Sequence, residues 1–491
     1  MIPADLFPGL QTWDPAPLRE NLRKSGFYLE ALEALGLPER WLRSEISRAA
    51  LLGHVPAGSP IDSLIHLFTL GDPVDGSLAL HALGDSIHGL LQIGFLEAGG
   101  GTVRSRYQLC PTGGTWIACD FRERLLQTGD DYVMGIGPSS FLLASLAPRA
   151  TGGRALELAC GIGWLSGQLR SAGMSVVASD LNPRALALGR FSARLSGTTG
   201  IDFRLGDGFS TVAGEQFDLI VANPPYVQSP GGALIYRESA PGDPVCARLL
   251  RALPDHLAPG GVAVVLINWT HHTDDDWSAA PLSWVTPHGT RRWLFQSDCS
   301  SPADYAWKWI GGDPRFTGEQ AATEEMHRWL AHYQATGVQR ISGGFIVIEK
   351  CQPGSEWTRT ESRAVQNIDP TAGREVRRVL DNHTWLATGP DLLETRFAVP
   401  DGIRAEANMA LAAAGWERQT IRLTSPARLS YDGQIDENIL RLLAIAGEGK
   451  PPSALVDEIR TRPELAAILD LPDQVAALVR ELVHHGILVP E

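Results

Sequence analysis

Arg154-Ala155-Leu156-Glu157-Leu158-Ala159-Cys160-Gly161-Ile162-Gly163 reads as a short buried strand running into a glycine turn, and Trp164 to Ala172 continues as a helix. Gly161 and Gly163 let the chain turn tightly and let a ligand approach the main chain. A dinucleotide site would want a third glycine where Ser166 stands, and Glu157 lies inside the strand just before the turn. Pyrophosphate binding is therefore not the reading.

Three further strand ends follow in order. Ser175 to Ser179 runs into Asp180-Leu181-Asn182-Pro183, which places a carboxylate about twenty residues after the glycine turn, where it can accept both hydroxyls of a ribose. Ile201 to Leu205 leads to Gly206-Asp207-Gly208-Phe209, where Asp207 can accept from an adenine amino group and Phe209 can pack on the ring. Phe217 to Ala222 ends in Asn223-Pro224-Pro225-Tyr226. Two prolines remove two N–H donors, so a planar NH2 group meets only acceptors there, the Asn223 oxygen and the Pro224 carbonyl, and Tyr226 offers a flat face for stacking. Alone, the tetrapeptide also fits a plain loop terminator. Four such strand ends in this order argue for a site.

Residues from about 151 to 350 resemble class I S-adenosylmethionine-dependent methyltransferases of the Asn-Pro-Pro-Tyr subgroup, on Glu157 to Gly163, Asp180, Asp207 and Asn223 to Tyr226. That subgroup includes release-factor glutamine methyltransferases, ribosomal RNA guanine and adenine methyltransferases and adenine-N6 DNA methyltransferases. The resemblance implies an α/β fold with a doubly wound Rossmann-like core. It implies S-adenosylmethionine as cofactor, held by Tyr132, Gly137, Ser139, Glu157, Ala159, Gly161, Gly163, Asp180, Leu181, Asp207, Gly208, Phe209 and Asn223, with Asn223, Pro224 and Tyr226 as catalytic residues. The small-residue run Asp130 to Ser140, leading into the apolar helix Phe141 to Leu146, would lie over the methionine end of the cofactor; an interdomain linker with a helix cap is the other reading. Tyr236-Arg237-Glu238 resembles a segment of the release-factor enzymes, but Ser239-Ala240 replaces the glycine pair usual there.

Outside the motifs, Ala247 to Leu257 is amphipathic, Val262 to Ile267 is a continuous buried strand, and Gly343 to Ile348 reads as the closing strand of an antiparallel edge. Between them an insertion, 268–342, carries seven of the fourteen tryptophans, some expected in the core of a lid and the rest beside Tyr226. His271-His272 and Asp274 to Asp276 lack a matching ligand pair, so a solvated acidic loop is expected and no metal. The expected domains are 1–128, helical and winged-helix-like; 129–350, catalytic; 351–434, a small α+β unit with Ala405 to Ala414 helical; and 435–491, a second winged-helix-like module. Asp381-Asn382-His383 reads as a structural polar turn.

Winged helices often bind DNA, so charge has to arbitrate. Five carboxylates face two arginines between Ile61 and Cys119, and ten face five basic residues between Ile435 and Glu491. Phosphate neutralisation supplies most non-specific nucleic-acid affinity, so these modules read as packing, dimerisation or docking units. The net charge of −14 points the same way. A chain of 491 residues implies two to four domains, and its six cysteines show no pairing spacing. With neither a signal-peptide pattern nor an apolar span, a cytoplasmic enzyme, possible as a homodimer, is expected. The expected activity is methylation of an amide or amine nitrogen of a protein, peptide or small metabolite; the alternative is adenine or guanine methylation of RNA or DNA. An inactive core serving as a binding module is the third reading, and the intact motif residues argue against it.

Overall fold

The computed structural model describes residues 6–39, 48–126, 131–149, 152–231, 237–238, 244–272, 276–364, 368–412, 415–461 and 470–491. Among them the strands β1 (Arg154–Leu158), β2 (Ser175–Asp180), β3 (Ile201–Leu205), β4 (Phe217–Ala222), β5 (Leu257–His271), β6 (Thr290–Ser300), β7 (Arg340–Lys350) and β8 (Trp357–Ser362) form one sheet in the order 8-6-7-5-4-1-2-3. Strands β1 to β5 are mutually parallel. The order reverses between β1 and β4, which opens a crevice at the carboxyl ends of the strands.

Val262 to Ile267 is apolar throughout because both faces of β5 are covered. Val262, Val264 and Leu266 share a core with Leu143 and Leu146 of α1 (Pro138–Leu146), Leu165 and Leu169 of α2 (Trp164–Ser171), and Val376 and Val379 of α7 (Ala372–Leu386). Ala263, Val265 and Ile267 face Cys246 and Leu250 of α4 (Val245–Ala252). The strand period of two sorts alternate residues to opposite layers. On the remaining side, α3 (Pro183–Ser196) is capped by the Asn182 side chain, which accepts from Arg184 N–H.

The sheet corrects the expected closing strand. Gly343 to Ile348 does lie in an antiparallel strand, β7, but inside the sheet, antiparallel to both β5 and β6. Strand β6, with Trp293, Leu294 and Phe295 fully buried, comes from within the segment read as a tryptophan-rich insertion. Parallel to it on the outer edge lies β8, from the segment assigned to the small α+β unit. What remains of the insertion as a lid is chiefly α5 (Pro302–Ile310) and α6 (Glu319–Ala335), which pack Tyr305, Ile310, Trp329 and Tyr333 onto Val227.

The amino-terminal region runs through helices Pro60–Leu64, Gly76–Leu83 and Ser86–Gln92 to an antiparallel sheet of Val74–Asp75, Leu96–Gly99 and Thr102–Ser105. The last two of these helices are separated at Gly84, where φ is +53°. This region is joined to the core through Phe191 of α3, which stacks on Phe95 at 4.3 Å and on Trp13 at 5.2 Å. Its next hairpin, Gln108–Thr112 with Thr115–Cys119, hydrogen-bonds Ser196 and Ser192 of α3 from the Trp116 and Ala118 N–H groups.

At the other end, the helix expected over Ala405 to Ala414 is not found: Arg404–Ala412 pairs antiparallel with Gly415–Thr424, and Ala413 and Ala414 lie outside the described residues. Alanine-rich helix propensity is a weak prior that cross-strand pairing overrides. The expected boundary at 434/435 also runs through a shared core, since Leu386, Phe397 and Leu423 pack with Leu442, Val475 and Val483, and Phe397–Ala398 pairs with Val489–Pro490. Asp381 to His383 lies within α7, not in a turn. His383 is stacked between Trp357 and His484, and burial pushes its pKa down to about 3, so it stays neutral as a packing residue.

Candidate active site

At the end of β1 the backbone takes positive φ at Ala159, Gly161 and Gly163. A side chain on Gly163 would collide with Phe203, whereas nothing lies within 4 Å of the position a Gly161 Cβ would take. The space beside Gly161 is therefore open to a ligand. Ser166, at the position of the missing third glycine, is fully buried, and both its N–H and its hydroxyl bond the Glu157 carboxylate. That bond explains the substitution: Glu157 acts as a strut from the strand to the first turn of α2. Burial raises the Glu157 pKa to about 7.

A stability prediction follows from Glu157. The folded state keeps its proton up to about pH 7 while the unfolded chain releases it near 4.5, so this group's contribution is full below about 4.5 and is lost as pH rises through 7. Glu157→Gln is expected to flatten that slope, by up to about 3 kcal/mol between pH 4.5 and 8. Melting temperature against pH for both proteins is the measurement. Parallel profiles would show that Glu157 is already ionised in the fold.

Asp180 at the end of β2 accepts from Gly161 N–H at 2.7 Å and from Asn182 N–H at 2.8 Å, tying the two turns together, and burial raises its pKa. Leu181 and Leu205, at the tips of β2 and β3, are apolar yet 53% and 49% exposed. With Asp207 exposed beyond β3, they form an apolar ledge ending in a carboxylate. Gly208 has positive φ, and Phe209 stacks flat on His256 at 4.3 Å, so one face of that ring is already covered.

Asn223 sits at the tip of β4. Its Nδ2 donates to Ser139 Oγ at 3.1 Å, which places Ser139 beside the Asn-Pro-Pro turn. With its amide nitrogen engaged, the Asn223 oxygen is left as an acceptor. Ser139 lies in the first turn of α1, whose N-cap Gly137 makes no side-chain cap bond. Tyr132 is buried in the preceding segment, which is pinned to α3: Val133 N–H donates to Asp120, Asp120 pairs with Arg184, and Asn182 Nδ2 donates to the Asp131 carbonyl. The crevice thus brings Tyr132, Gly137, Ser139, Ala159, Gly161, Asp180, Leu181, Asp207 and Asn223 to the strand ends. Glu157 and Gly163 lie beneath it as supports.

Several site-wall residues were missed in the sequence. Tyr305 Oη accepts from Gln228 N–H at 3.1 Å and from Asn268 Nδ2 at 2.7 Å, while Tyr333 Oη donates to the Gln228 carbonyl at 2.6 Å. Two lid tyrosines therefore clamp the backbone just after Tyr226. Asp298, close enough to perturb Tyr226, and Asn268 both abut Gly343. The bonds span 37 to 105 residues, so no local signal marks them. His271 bonds Ser342 at 2.7 Å, and Asp274 and Asp275 lie outside the described residues. Tyr236, Ser239 and Ala240 lie outside them too.

A doubly wound sheet with open strand tips, a buried carboxylate at the end of β2 and an Asn-Pro-Pro turn at the end of β4 make a Rossmann-like domain with a crevice at its strand ends. Residues 135–275 match the family model of the methyltransferase small domain, and residues 377–490 match a domain of unknown function (DUF7782). The chain is 31% identical over 154 residues to a release factor glutamine methyltransferase of Koribacter versatilis, covering 27% of this chain and 54% of that protein. It is 31% identical over 150 residues to a ribosomal protein uL3 glutamine methyltransferase of Bradyrhizobium diazoefficiens, covering 27% and 46%. It is 35% identical over 91 residues to a ribosomal RNA small subunit methyltransferase C of Idiomarina loihiensis, covering 18% and 27%. The chain spans about half the length, or less, of these curated relatives. Among solved structures, phosphoethanolamine N-methyltransferase 2 of Haemonchus contortus with S-adenosyl-L-methionine aligns at a TM-score of 0.29 and 14% identity, covering 51% of this chain and 64% of that one.

Proposed function

We propose that this protein is an S-adenosylmethionine-dependent methyltransferase acting on an amide or amine nitrogen of a protein, peptide or small metabolite. The observation that carries the reading is the Asn223 amide, whose Nδ2 is engaged by Ser139 so that its oxygen is left as an acceptor. The open space at Gly161, the Asp180 carboxylate beside it and the exposed Leu181, Leu205 and Asp207 fit the nucleoside of S-adenosylmethionine. The uncapped first turn of α1, with Gly137, Ser139 and Tyr132, fits its carboxylate. When bound, the cofactor supplies an electrophilic methyl group on a sulfonium.

The chain's own part is orientation. Asn223 and Pro224 accept the two hydrogens of a planar NH2 group, which favours the rehybridised nitrogen whose lone pair can attack. Tyr226, packed at the meeting of three core clusters, offers its ring to fix the acceptor plane. Tyr305 and Tyr333 keep that wall in place and exclude water.

The wall beside Tyr226 is aromatic, built from Tyr305 and Tyr333, and the nearby Asp298 is paired with Lys308, so the wall offers stacking to a planar amide or amine and no net positive charge to a polyanion. Relatives named for glutamine methylation of a release factor and of ribosomal protein uL3 support the amide reading. A relative named as a ribosomal RNA methyltransferase keeps nucleic-acid methylation as the alternative. The helix-helix-strand ends are read as acidic winged-helix-like modules for docking or homodimer formation, in a cytoplasmic setting. No described helix is long and apolar enough to cross a membrane.

The test is transfer of radiolabelled methyl from S-adenosylmethionine into extract of cells lacking this protein, followed by nuclease, protease and filtration. Label in protease digests or the small-molecule filtrate is expected. Label removed by nuclease would establish the alternative, and no label in any fraction would sink both.

A further inference from the structure

We propose that the hollow between the end of α1 and the start of α7 is a binding site for a phosphate-class dianion, either free phosphate or a small phosphate monoester. The cavity has a volume of about 660 Å³, and its lining includes Arg149, Arg374, Arg377 and Arg378 with Asp381. Four guanidiniums around one hollow stand out in a chain of net charge −14.

The charges do not cancel internally. Asp381 is engaged by Arg377, which also reaches Glu349 at 2.9 Å. Arg378 buries its Nε and one Nη without a hydrogen-bond partner among the described residues. Burial pushes the pKa of Arg378 down, with the Glu375 charge opposing it only in part, so the hollow holds a desolvated cation without a described hydrogen-bond partner at its buried nitrogens. Arg149 donates to the Ala144 carbonyl at 3.2 Å, and Arg374 is exposed at the rim. Pro370, Thr371 and Gly373 form one wall, the positive end of the α7 dipole, while Asp369 is turned to Thr371. Several planar guanidiniums lining one hollow suit a tetrahedral oxyanion better than a single carboxylate.

A small dianion fits better than a nucleic acid, because the surrounding protein is acidic and would repel an extended polyanion. The site is also distinct from the catalytic turn. It lies at the far end of the nine-residue α1 from Ser139, about 13 Å away by helix rise. The two helices meet closely there: a Cβ on Gly373 would fall 2.2 Å from the Ala147 carbonyl oxygen, so an occupant would clamp α7 against α1.

The experiment is thermal melting and calorimetric titration of the full chain with inorganic phosphate and with glycerol 3-phosphate, at matched ionic strength in chloride. Arg374→Gln and Arg378→Met are compared with the unaltered protein. A saturable rise in melting temperature with at least one of the two is expected, weakened at least tenfold in both variants, and the tighter ligand identifies the source. Arg374 is exposed, so Arg374→Gln carries the test if Arg378→Met fails to fold. No saturable binding of either anion, or equal binding by the variants, would overturn the proposal. So would variant-sensitive binding of a short RNA by a protein that ignores both small anions.

Discussion

Asn223→Ala is expected to lower kcat by about two to three orders of magnitude while leaving the cofactor dissociation constant within about threefold. The Asn223 oxygen is proposed to bond the acceptor NH2 most strongly as that nitrogen rehybridises, so its loss falls on the transition state and not on ground-state binding. Asn223→Asp separates the two ends of the side chain. It keeps an acceptor but loses the Nδ2 donor that Ser139 holds at 3.1 Å, and it adds a charge beside Tyr226. We expect it to be impaired as severely as the alanine variant, with Ser139→Ala milder because Asn223 itself survives. Single-turnover rates with an identified acceptor, alongside calorimetric binding of S-adenosylhomocysteine, make the comparison. A loss of cofactor affinity that accounts for the whole effect in Asn223→Ala would reassign the residue from catalysis to cofactor binding.

The parts of this site legible in sequence are those written locally. Gly161, Asp180 and Asn223 each sit at the end of an apolar run, and a run followed by a turn needs no partner to be recognised. The lid clamp was not legible, because Tyr305, Gln228, Asn268 and Tyr333 act through bonds between distant segments. Strand β6 shows the same limit in the fold. Its apolar stretch is only Trp293-Leu294-Phe295, preceded by Arg291 and Arg292, so in sequence it looks like part of a tryptophan-rich loop. Charged residues mark a surface unless their partners are known, and Arg291 is only 3% exposed. The helix read at Ala405 to Ala414 failed for a different reason, through strong local propensity overruled when Arg404–Ala412 pairs with the strand that immediately follows it, Gly415–Thr424.

Arg291 is also where the largest stability effect is expected. Its Nη1 meets Glu349 Oε2 at 2.8 Å with both side chains 3% exposed, and further bonds reach the Ser355 and Leu380 carbonyls and Thr384. Arg377 of α7 holds the other oxygen of Glu349 at 2.9 Å. Burial raises the Glu349 pKa despite both arginines, so the carboxylate depends on them to stay ionised. Arg291→Met should strand that carboxylate and cost about 3–5 kcal/mol, whereas Arg291→Met with Glu349→Met should recover most of the loss. Urea unfolding of the single and double variants is the measurement, and a loss below about 1 kcal/mol in Arg291→Met would show that water or Arg377 alone satisfies Glu349. The consequence reaches beyond stability, because this ion pair fastens α7 to the β6 and β7 strands while Gly373 presses α7 against the end of α1. Ser139 stands at the other end of α1. Weakening the Arg291 anchor should therefore loosen the Asn223 turn as well, seen as a fall in kcat at temperatures where the single variant is still folded.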